Sequence, residues 1–177
     1  MLSCAVASIK LPRASGAAQD PIRDLGVAAP ARHRRRANRD TGRAMSQENV
    51  EIVQDAFRAF EKGEMEGVLR LCDERIEITQ PAELPGVSQH QHGHAGVLEA
   101  FALWPEQWDD FRVDILRVAD MGGHVLVTTL NHGRGKDSGV QVEMQFTFLF
   151  LVRAGKIAEW RMFLREEDAL EAVGLRE

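Results

Sequence analysis

The stretch from Val140 to Arg165 limits what this chain can fold into, because apolar and polar side chains alternate along two consecutive segments of it. A period of two is typical of strands with one buried face. Residues 153–156 separate the segments and include Gly155, which can take a positive φ, so they predict a tight turn. The stretch therefore predicts a β-hairpin with one broad apolar face. The side chains of that face are Val142, Met144, Phe146, Phe148, Phe150, Trp160, Met162 and Leu164.

The rest of the chain predicts helices placed mostly before the strands. A first helix is expected from an N-cap at Ser46 to about Lys62, because apolar residues recur there at helical spacing. Helices before a run of antiparallel strands are typical of an α+β fold with helices on one face of a curved sheet. The further predicted elements are a short helix at 65–72, a strand at 75–80, a helix at 95–108 that Pro105 ends or kinks, strands at 111–121 and 124–131, and a terminal helix at 167–173.

Composition divides the chain near residue 44. Residues 1–44 carry nine of the 22 basic residues and three of the 27 acidic residues, and they show no sustained periodicity. Such a segment buries too little apolar area to offset its chain entropy. It is therefore predicted to be a disordered basic tail, or an extended start ahead of Met45, while residues 45–177 form the domain. The arginine run at 32–36 lacks interleaved aromatic residues, so a solvated tail is favoured and a nucleic-acid partner is not expected.

Four segments of the chain resemble the SnoaL-like branch of the nuclear transport factor 2-like superfamily. They are MSQENVEIVQDAFRAFEKGE, HGHAGVLEAF, VRAGKIAEWRMF and DALEAVGL, and the resemblance extends from Met45 to Glu177. It implies a cone-shaped α+β fold in which a curved, mainly antiparallel sheet and three helices enclose a cavity. Isomerases, cyclases, hydrolases, dehydratases and binding proteins share that fold, so the resemblance leaves the activity open.

The acid–base residues that this resemblance implies are missing at the matching positions. Ketosteroid isomerases carry a general base just before a proline on the first strand, where this chain has Gln80, and an amide does not take up a proton at neutral pH. The tyrosine of their oxyanion hole has no counterpart, because the chain contains no tyrosine. Phe148 aligns with the position of a second acid and cannot transfer a proton.

Histidines offer the remaining candidates for chemistry. His90, His92 and His94 would share one face of an extended strand, which makes His92 and His94 candidate proton carriers at the mouth of a pocket. The alternative is a surface loop or helix start. No carboxylate or cysteine cluster accompanies these histidines, so neither a metal site nor a cofactor is expected.

The predicted pocket is apolar with few polar groups, which suits a small hydrophobic ligand. Its expected lining is Met144, Phe146, Phe148, Trp160 and Met162, with Gln80 and one histidine as polar groups. Trp104 and Trp108 either rim this cavity or pack their helix on the sheet. The function expected is that of a SnoaL-like small-molecule-binding protein, which could be an isomerase, a cyclase or a hydrolase. The alternative is a non-catalytic ligand-binding or dimerisation module.

Assembly and location follow from the surface and the cysteines. Leu149, Leu151 and Phe163 place apolar area on the outer sheet face, and burial against a second copy predicts a homodimer. Two cysteines, Cys4 and Cys72, form neither a disulfide framework nor a metal site and fit a reducing cytoplasm. No apolar run reaches the roughly 18 residues of a membrane span, so no membrane partner is expected.

Overall fold

A computed structural model of the chain describes residues 33–84 and 88–174, with side chains from Ser46 onward except at 103 and 105. The helices are α1 (His33–Glu61), α2 (Met65–Leu71), α3 (Gly93–Gln107) and α4 (Glu166–Ala172). The strands are β1 (Cys72–Thr79), β2 (His90–His92), β3 (Trp108–Asp120), β4 (His124–Gly135), β5 (Gln141–Arg153) and β6 (Lys156–Phe163).

The six strands form one mixed sheet in the order β2-β1-β6-β5-β4-β3. Every neighbouring pair is antiparallel except β1 and β6, which run parallel. Irregularities in register, two of them along β3, add local bend and twist to the strands. The α+β fold with a curved, mainly antiparallel sheet, as predicted, is confirmed.

The hairpin of β5 and β6 supplies the centre of the core. Phe148 pairs with Met162 and Phe150 pairs with Trp160 across the two strands, and all four side chains are buried. Helices α1, α2 and α3 pack on this inner face of the sheet. The alternation predicted for β5 therefore indicates the correct inward face. A two-residue turn joins the strands, with positive φ at both Ala154 and Gly155.

Helix α1 begins earlier than predicted. Ser46 lies within it, thirteen residues after His33, so the N-cap prediction is wrong. Ser46 Oγ instead donates a hydrogen bond to Asp120 at the end of β3. Residues 33–44 are helical here, and alanine and arginine in that segment are good helix formers. Residues 1–32 lie outside the described part of the chain, and the independence of residues 45–177 stays a prediction.

Helix α4 covers part of the outer sheet face. Leu126, Leu149 and Ala169 form a small second core with no exposed surface, and Phe163 packs against it. Glu166 also accepts a hydrogen bond from the Thr128 hydroxyl at 3.2 Å and pairs with Arg117. The expectation that a second copy must bury Leu149 is therefore wrong, because the chain's own last helix buries it. A homodimer stays a prediction on other grounds.

Helix α3 also differs from its predicted bounds. It starts at Gly93 and continues past Pro105 to Gln107. Residues 90–92, which the sequence left as strand or loop, form the short edge strand β2 beside β1. Among the described residues, no helix is long and apolar enough to cross a membrane.

Candidate ligand-binding cavity

A cavity of about 60 Å³ lies between the inner face of the sheet and helices α1, α2 and α3. A water molecule needs roughly 10–15 Å³ on such a measure, so the space fits a few waters or one compact organic molecule. Aromatic rings make up much of its wall. They are Phe57, Phe60, Phe101, Trp104, Phe111, Phe148, Phe150 and Trp160.

These rings pack on one another in a continuous cluster. Phe148 meets Phe57 edge-on with ring centroids 6.3 Å apart, and Trp160 lies 5.0 Å from Phe101. Aromatic pairs in this range favour offset or edge contacts over face-to-face stacking. The cluster ties α1 and α3 to the sheet, so the wall of the cavity is also a main part of the hydrophobic core.

Few polar side chains reach the cavity. The lining residues that carry polar side-chain atoms are Gln80, Asn131, Cys72 and Trp160. Asn131 Oδ1 accepts a hydrogen bond from the hydroxyl of Thr129 at 2.8 Å. No Asp, Glu, His, Lys or Arg lines the cavity within the described ranges. The site is therefore polar at a few points and uncharged.

Gln80 is held by a second glutamine that the sequence did not indicate. Gln80 Nε2 donates to Gln91 Oε1 at 2.9 Å, and both side chains are buried. Gln91 lies on β2 opposite Ile78 of β1, facing inward. Gly96 of α3 passes so close that a Cβ there would lie 2.9 Å from the Gln91 Cβ. The absence of a side chain at residue 96 thus lets α3 press on Gln91 and fix its position.

Two buried donors near the cavity have no acceptor. Trp160 Nε1 and Gln91 Nε2 are both buried and make no hydrogen bond with the described residues. An unmet buried donor costs roughly 1–3 kcal/mol. Trp160 of β6 and Gln91 of β2 both pair with Ile78, one from each side of β1, so the two donors lie on the strands that flank β1.

Cys72, the first residue of β1, is the one ionisable side chain among the described lining residues. Burial raises the pKa of its thiol to about 11, while the Lys156 ammonium acts to lower it. A thiol with such a pKa is protonated at neutral pH and is a poor nucleophile. Cys72 therefore acts as a small apolar wall group at pH 7.

The structure separates the predicted site residues into two groups. Gln80, Phe148, Trp160 and Met162 line the cavity. Phe146 is buried in the core, and Met144 packs beside that core half-buried, but neither lines the cavity. The cavity occupies only one end of the inner face of β5, which alternation along a strand cannot reveal.

The histidines do not reach the cavity wall. His90 and His92 share the exposed side of β2, as an extended strand requires, while Gln91 between them points inward. His94 is half-buried in the first turn of α3, with Nε2 3.4 Å from the carbonyl oxygen of Cys72. His92 and His94 are not among the residues that line the cavity, because the opposite side of β2 faces the core, and their role as proton carriers at its mouth stays a prediction. The described residues contain no cluster of His, Cys, Asp or Glu suited to a metal ion.

Trp104 and Trp108, which the sequence places on one helix, lie in different environments in the structure. Trp104 lines the cavity and stacks on Phe111 with ring centroids 5.0 Å apart. Trp108 has left the helix as the first residue of β3, and its ring lies over Gly133 of β4. Next to Phe111, Asp110 has a φ of 53° at an irregularity in β3, and its carboxylate accepts a hydrogen bond from Arg134 at 2.8 Å. Trp104 thus belongs to the wall, and Trp108 serves sheet packing.

Comparison with known proteins places this geometry in a family. A sequence profile of the SnoaL-like domain matches residues 53–160. No curated protein matches the chain. Among solved structures, a nuclear transport factor 2-like protein from Burkholderia xenovorans LB400 is 29% identical, with a TM-score of 0.58 over 66% of this chain and 88% of that one.

Two further solved structures share the fold at lower identity. TerC, co-crystallised with polyporic acid, is 20% identical with a TM-score of 0.60, over 72% of this chain and 98% of TerC. A protein with a ketosteroid isomerase-like fold from Catenulispora acidiphila, in complex with trimethylamine, is 16% identical with a TM-score of 0.55, over 71% of this chain and 94% of that protein. The profile match spans more than half of the sequence, and the chain therefore belongs to the SnoaL-like family of nuclear transport factor 2-like proteins.

Proposed function

We propose that this protein binds a compact, uncharged and mostly apolar organic molecule in the cavity, without acid–base turnover of that molecule. The observation that carries the proposal is the lining, which combines eight aromatic rings with two amides and no charged side chain among the described residues. Pockets of this composition gain affinity from apolar burial and orientation from a few polar contacts.

The absence of charge from the lining favours a neutral ligand over an ion. Moving an ion from water into an apolar site is costly unless an opposite charge or several hydrogen bonds compensate. The aromatic rings could attract a cation, and a protein of this fold is known in complex with trimethylamine. Among the residues that the structure describes, however, no carboxylate lines the cavity to balance such a cation. A neutral molecule is therefore the better match.

Binding is favoured over catalysis because the described residues that line the cavity include no proton carrier at neutral pH. Gln80 stands where the resemblance implies a general base, and an amide is not basic. The Cys72 thiol is held protonated by burial. An isomerase, cyclase or hydrolase working through acid–base chemistry would need a group that titrates near neutral pH within reach of the ligand.

The test is calorimetric titration with cyclohexanol, tetramethylammonium and benzoate as neutral, cationic and anionic probes. Cyclohexanol should bind, and the two ions should not. Ala56→Leu adds side-chain volume at a wall position of α1 and should abolish cyclohexanol binding. Ala102→Leu is the matched control, because Ala102 is exposed on α3 and should leave the affinity unchanged. Equal binding by wild type and Ala56→Leu would refute the cavity as the site, and tighter binding of tetramethylammonium would refute a neutral ligand.

We also infer that two copies associate through the outer sheet face. Arg161 lies there with its Nε buried and without a hydrogen-bond acceptor, and Glu159 Oε2 is 3.9 Å away. Leu116 is 51% exposed, and Leu151 remains half-buried. A second copy would cover this apolar area and could supply the missing acceptor. Sedimentation equilibrium at micromolar concentration should give the mass of a dimer, and a monomer would contradict the inference.

A further inference from the structure

We propose that the cavity recognises an alcohol or phenol, whose single hydroxyl group accepts a hydrogen bond from Trp160 Nε1 and donates one to Gln80 Oε1. The proposal rests on the proposed function, because it assigns the ligand class of the same cavity. It follows from the unpaired indole N–H of Trp160 and from the Gln80 amide oxygen, which the bond to Gln91 does not use.

The two side chains lie on neighbouring strands and line the same cavity. Trp160 of β6 is the register partner of Ile78 of β1. Gln80 follows Ile78 by two residues, so alternation along the chain turns it to the same inner face. Both Gln80 and Trp160 line the cavity and are more than nine-tenths buried. A ligand at this end of the cavity therefore lies next to both side chains.

The hydrogen bond with Gln91 determines which atom of the Gln80 amide remains available to a ligand. Gln80 Nε2 donates to Gln91 Oε1 at 2.9 Å, so Gln80 Oε1 takes no part in that bond, and only a rotation of both amides together would exchange donor and acceptor. Gln80 Oε1, an acceptor, is the atom left for the cavity. Gln91 is in turn fixed by the close passage of Gly96. Gln91 is thus a positioning residue that makes the β1 side of the cavity an acceptor.

Trp160 supplies the complementary donor. Its Nε1 is buried and has no acceptor among the described residues, and an indole N–H can only donate. A buried donor left unmet is unfavourable, so an oxygen that reaches it stabilises the complex. The unpaired N–H thus points to a ligand that brings its own acceptor.

A hydroxyl oxygen meets both requirements with one atom, since it has one O–H donor and two acceptor lone pairs. A ketone could accept from Trp160 but has nothing to donate to Gln80. A carboxylate accepts only and would bring an unbalanced charge into a cavity without a cation among its described lining. The small volume of about 60 Å³ also favours a ligand that needs a single polar atom.

The test uses three probes of one shape on the full chain. Cyclohexanol donates and accepts, cyclohexanone only accepts, and methylcyclohexane does neither. Each is titrated into the wild type, Trp160→Phe and Gln80→Met by calorimetry. Trp160→Phe should weaken cyclohexanol and cyclohexanone by roughly threefold to tenfold relative to methylcyclohexane, which is the net effect of one neutral hydrogen bond. Gln80→Met should weaken cyclohexanol alone by a similar factor.

The methylcyclohexane arm separates this proposal from the proposed function. Unchanged methylcyclohexane affinity shows that a variant keeps its fold and cavity. If methylcyclohexane binds but neither variant distinguishes the three probes, apolar binding stands and the hydroxyl assignment is overturned. If Gln80→Met weakens cyclohexanone as much as cyclohexanol, Gln80 is not an acceptor and the assignment is also overturned. If no probe binds the wild type, both the cavity function and the hydroxyl assignment are overturned.

Discussion

Leu149 on the outer face of β5 and Ala169 of α4 bury each other in a small core that lies on the opposite side of the sheet from the cavity. Neither side chain has exposed surface. Helix α4 thus covers part of a sheet face that would otherwise be exposed to solvent. The sheet is a layer with a core on each side, although the core beneath α4 is much the smaller.

Leu149→Ala should lower the free energy of unfolding by about 2–5 kcal/mol, because it removes a buried side chain and leaves a cavity. Leu164→Ala, at a position that is 40% exposed, is the control and should change it by less than about 0.5 kcal/mol. Urea melts of both variants at two protein concentrations provide the measurement. A loss that depended on concentration would mean that a second copy, and not α4, covers Leu149.

Phe148→Ala should destabilise the protein by about 3–5 kcal/mol, as expected for truncating a buried phenylalanine. The ring meets Phe57 of α1, Phe150 of β5 and Trp160 of β6. Gln145→Ala, three residues earlier and exposed, provides the comparison. Denaturant melts in which both changes were near zero would contradict the inward orientation of Phe148. They would also invert every residue of β5, since its side chains alternate with a period of two.

The raised pKa of Cys72 predicts a loss of stability in alkaline solution. The unfolded thiol ionises near pH 9 and the folded one near pH 11. Between these values the folded state binds more protons than the unfolded state, so the free energy of unfolding falls as the pH rises. The contribution is present below pH 9 and is lost at about 1.4 kcal/mol per pH unit up to 11.

Cys72→Ala removes this titration. The difference between the free energies of unfolding of the wild type and this variant at each pH cancels the contributions of the other ionising groups. The stability of the wild type relative to Cys72→Ala should therefore decline between pH 9 and 11. Alkylation of Cys72 at pH 8 in a Cys4→Ser background should also be much slower in the folded than in the unfolded protein. Equal alkylation rates in the two states would show that the thiol is not shielded.

Ala154 in the turn of the β5–β6 hairpin has a φ of 48°, which L-residues with a Cβ rarely adopt. Ala154→Asn should raise the free energy of unfolding by roughly 0.5–1 kcal/mol, because asparagine tolerates this conformation better. Gly155→Ala should have the opposite effect, since Gly155 has a φ of 74°. Thermal melts of the two variants give the signs, and stabilisation by Gly155→Ala would contradict the turn geometry.

The sequence predicted those parts of the fold in which polar and apolar residues alternate clearly. The inner faces of β5 and β6 were predicted correctly, because Phe148, Phe150, Trp160 and Met162 leave one possible orientation. The orientation of β2 could not be predicted, since Gln91 and its histidine neighbours are all polar. In the absence of an apolar set, nothing in the strand indicates which side meets the core.

The remaining errors have similar local causes. Ser46 has the residue type and the surroundings of an N-cap. A capping preference of about 1 kcal/mol does not end a helix there when the preceding residues also favour the helical conformation. The contribution of Phe57, Phe60 and Phe101 to the cavity depends on how helices cross the sheet, which spacing along one helix does not determine. Gly96 is the one sequence signal for the role of Gln91, because a glycine in a helix can mark a close approach to another element. The sequence alone does not show that Gln91 is the residue it approaches.

The parallel pairing of β1 with β6 also has a consequence for the time during which the chain is synthesised. Ile78 pairs with Trp160, a residue about 80 positions later. At about 5–20 residues per second, the ribosome needs roughly 4–16 seconds to deliver that partner after β1 has emerged. During this interval the edge of β1 that will meet β6 has no strand partner, and the other sheet neighbour of β1 is the three-residue β2. Aggregation of nascent chains is therefore expected to start at β1, and slower translation of residues 80–160 should increase it.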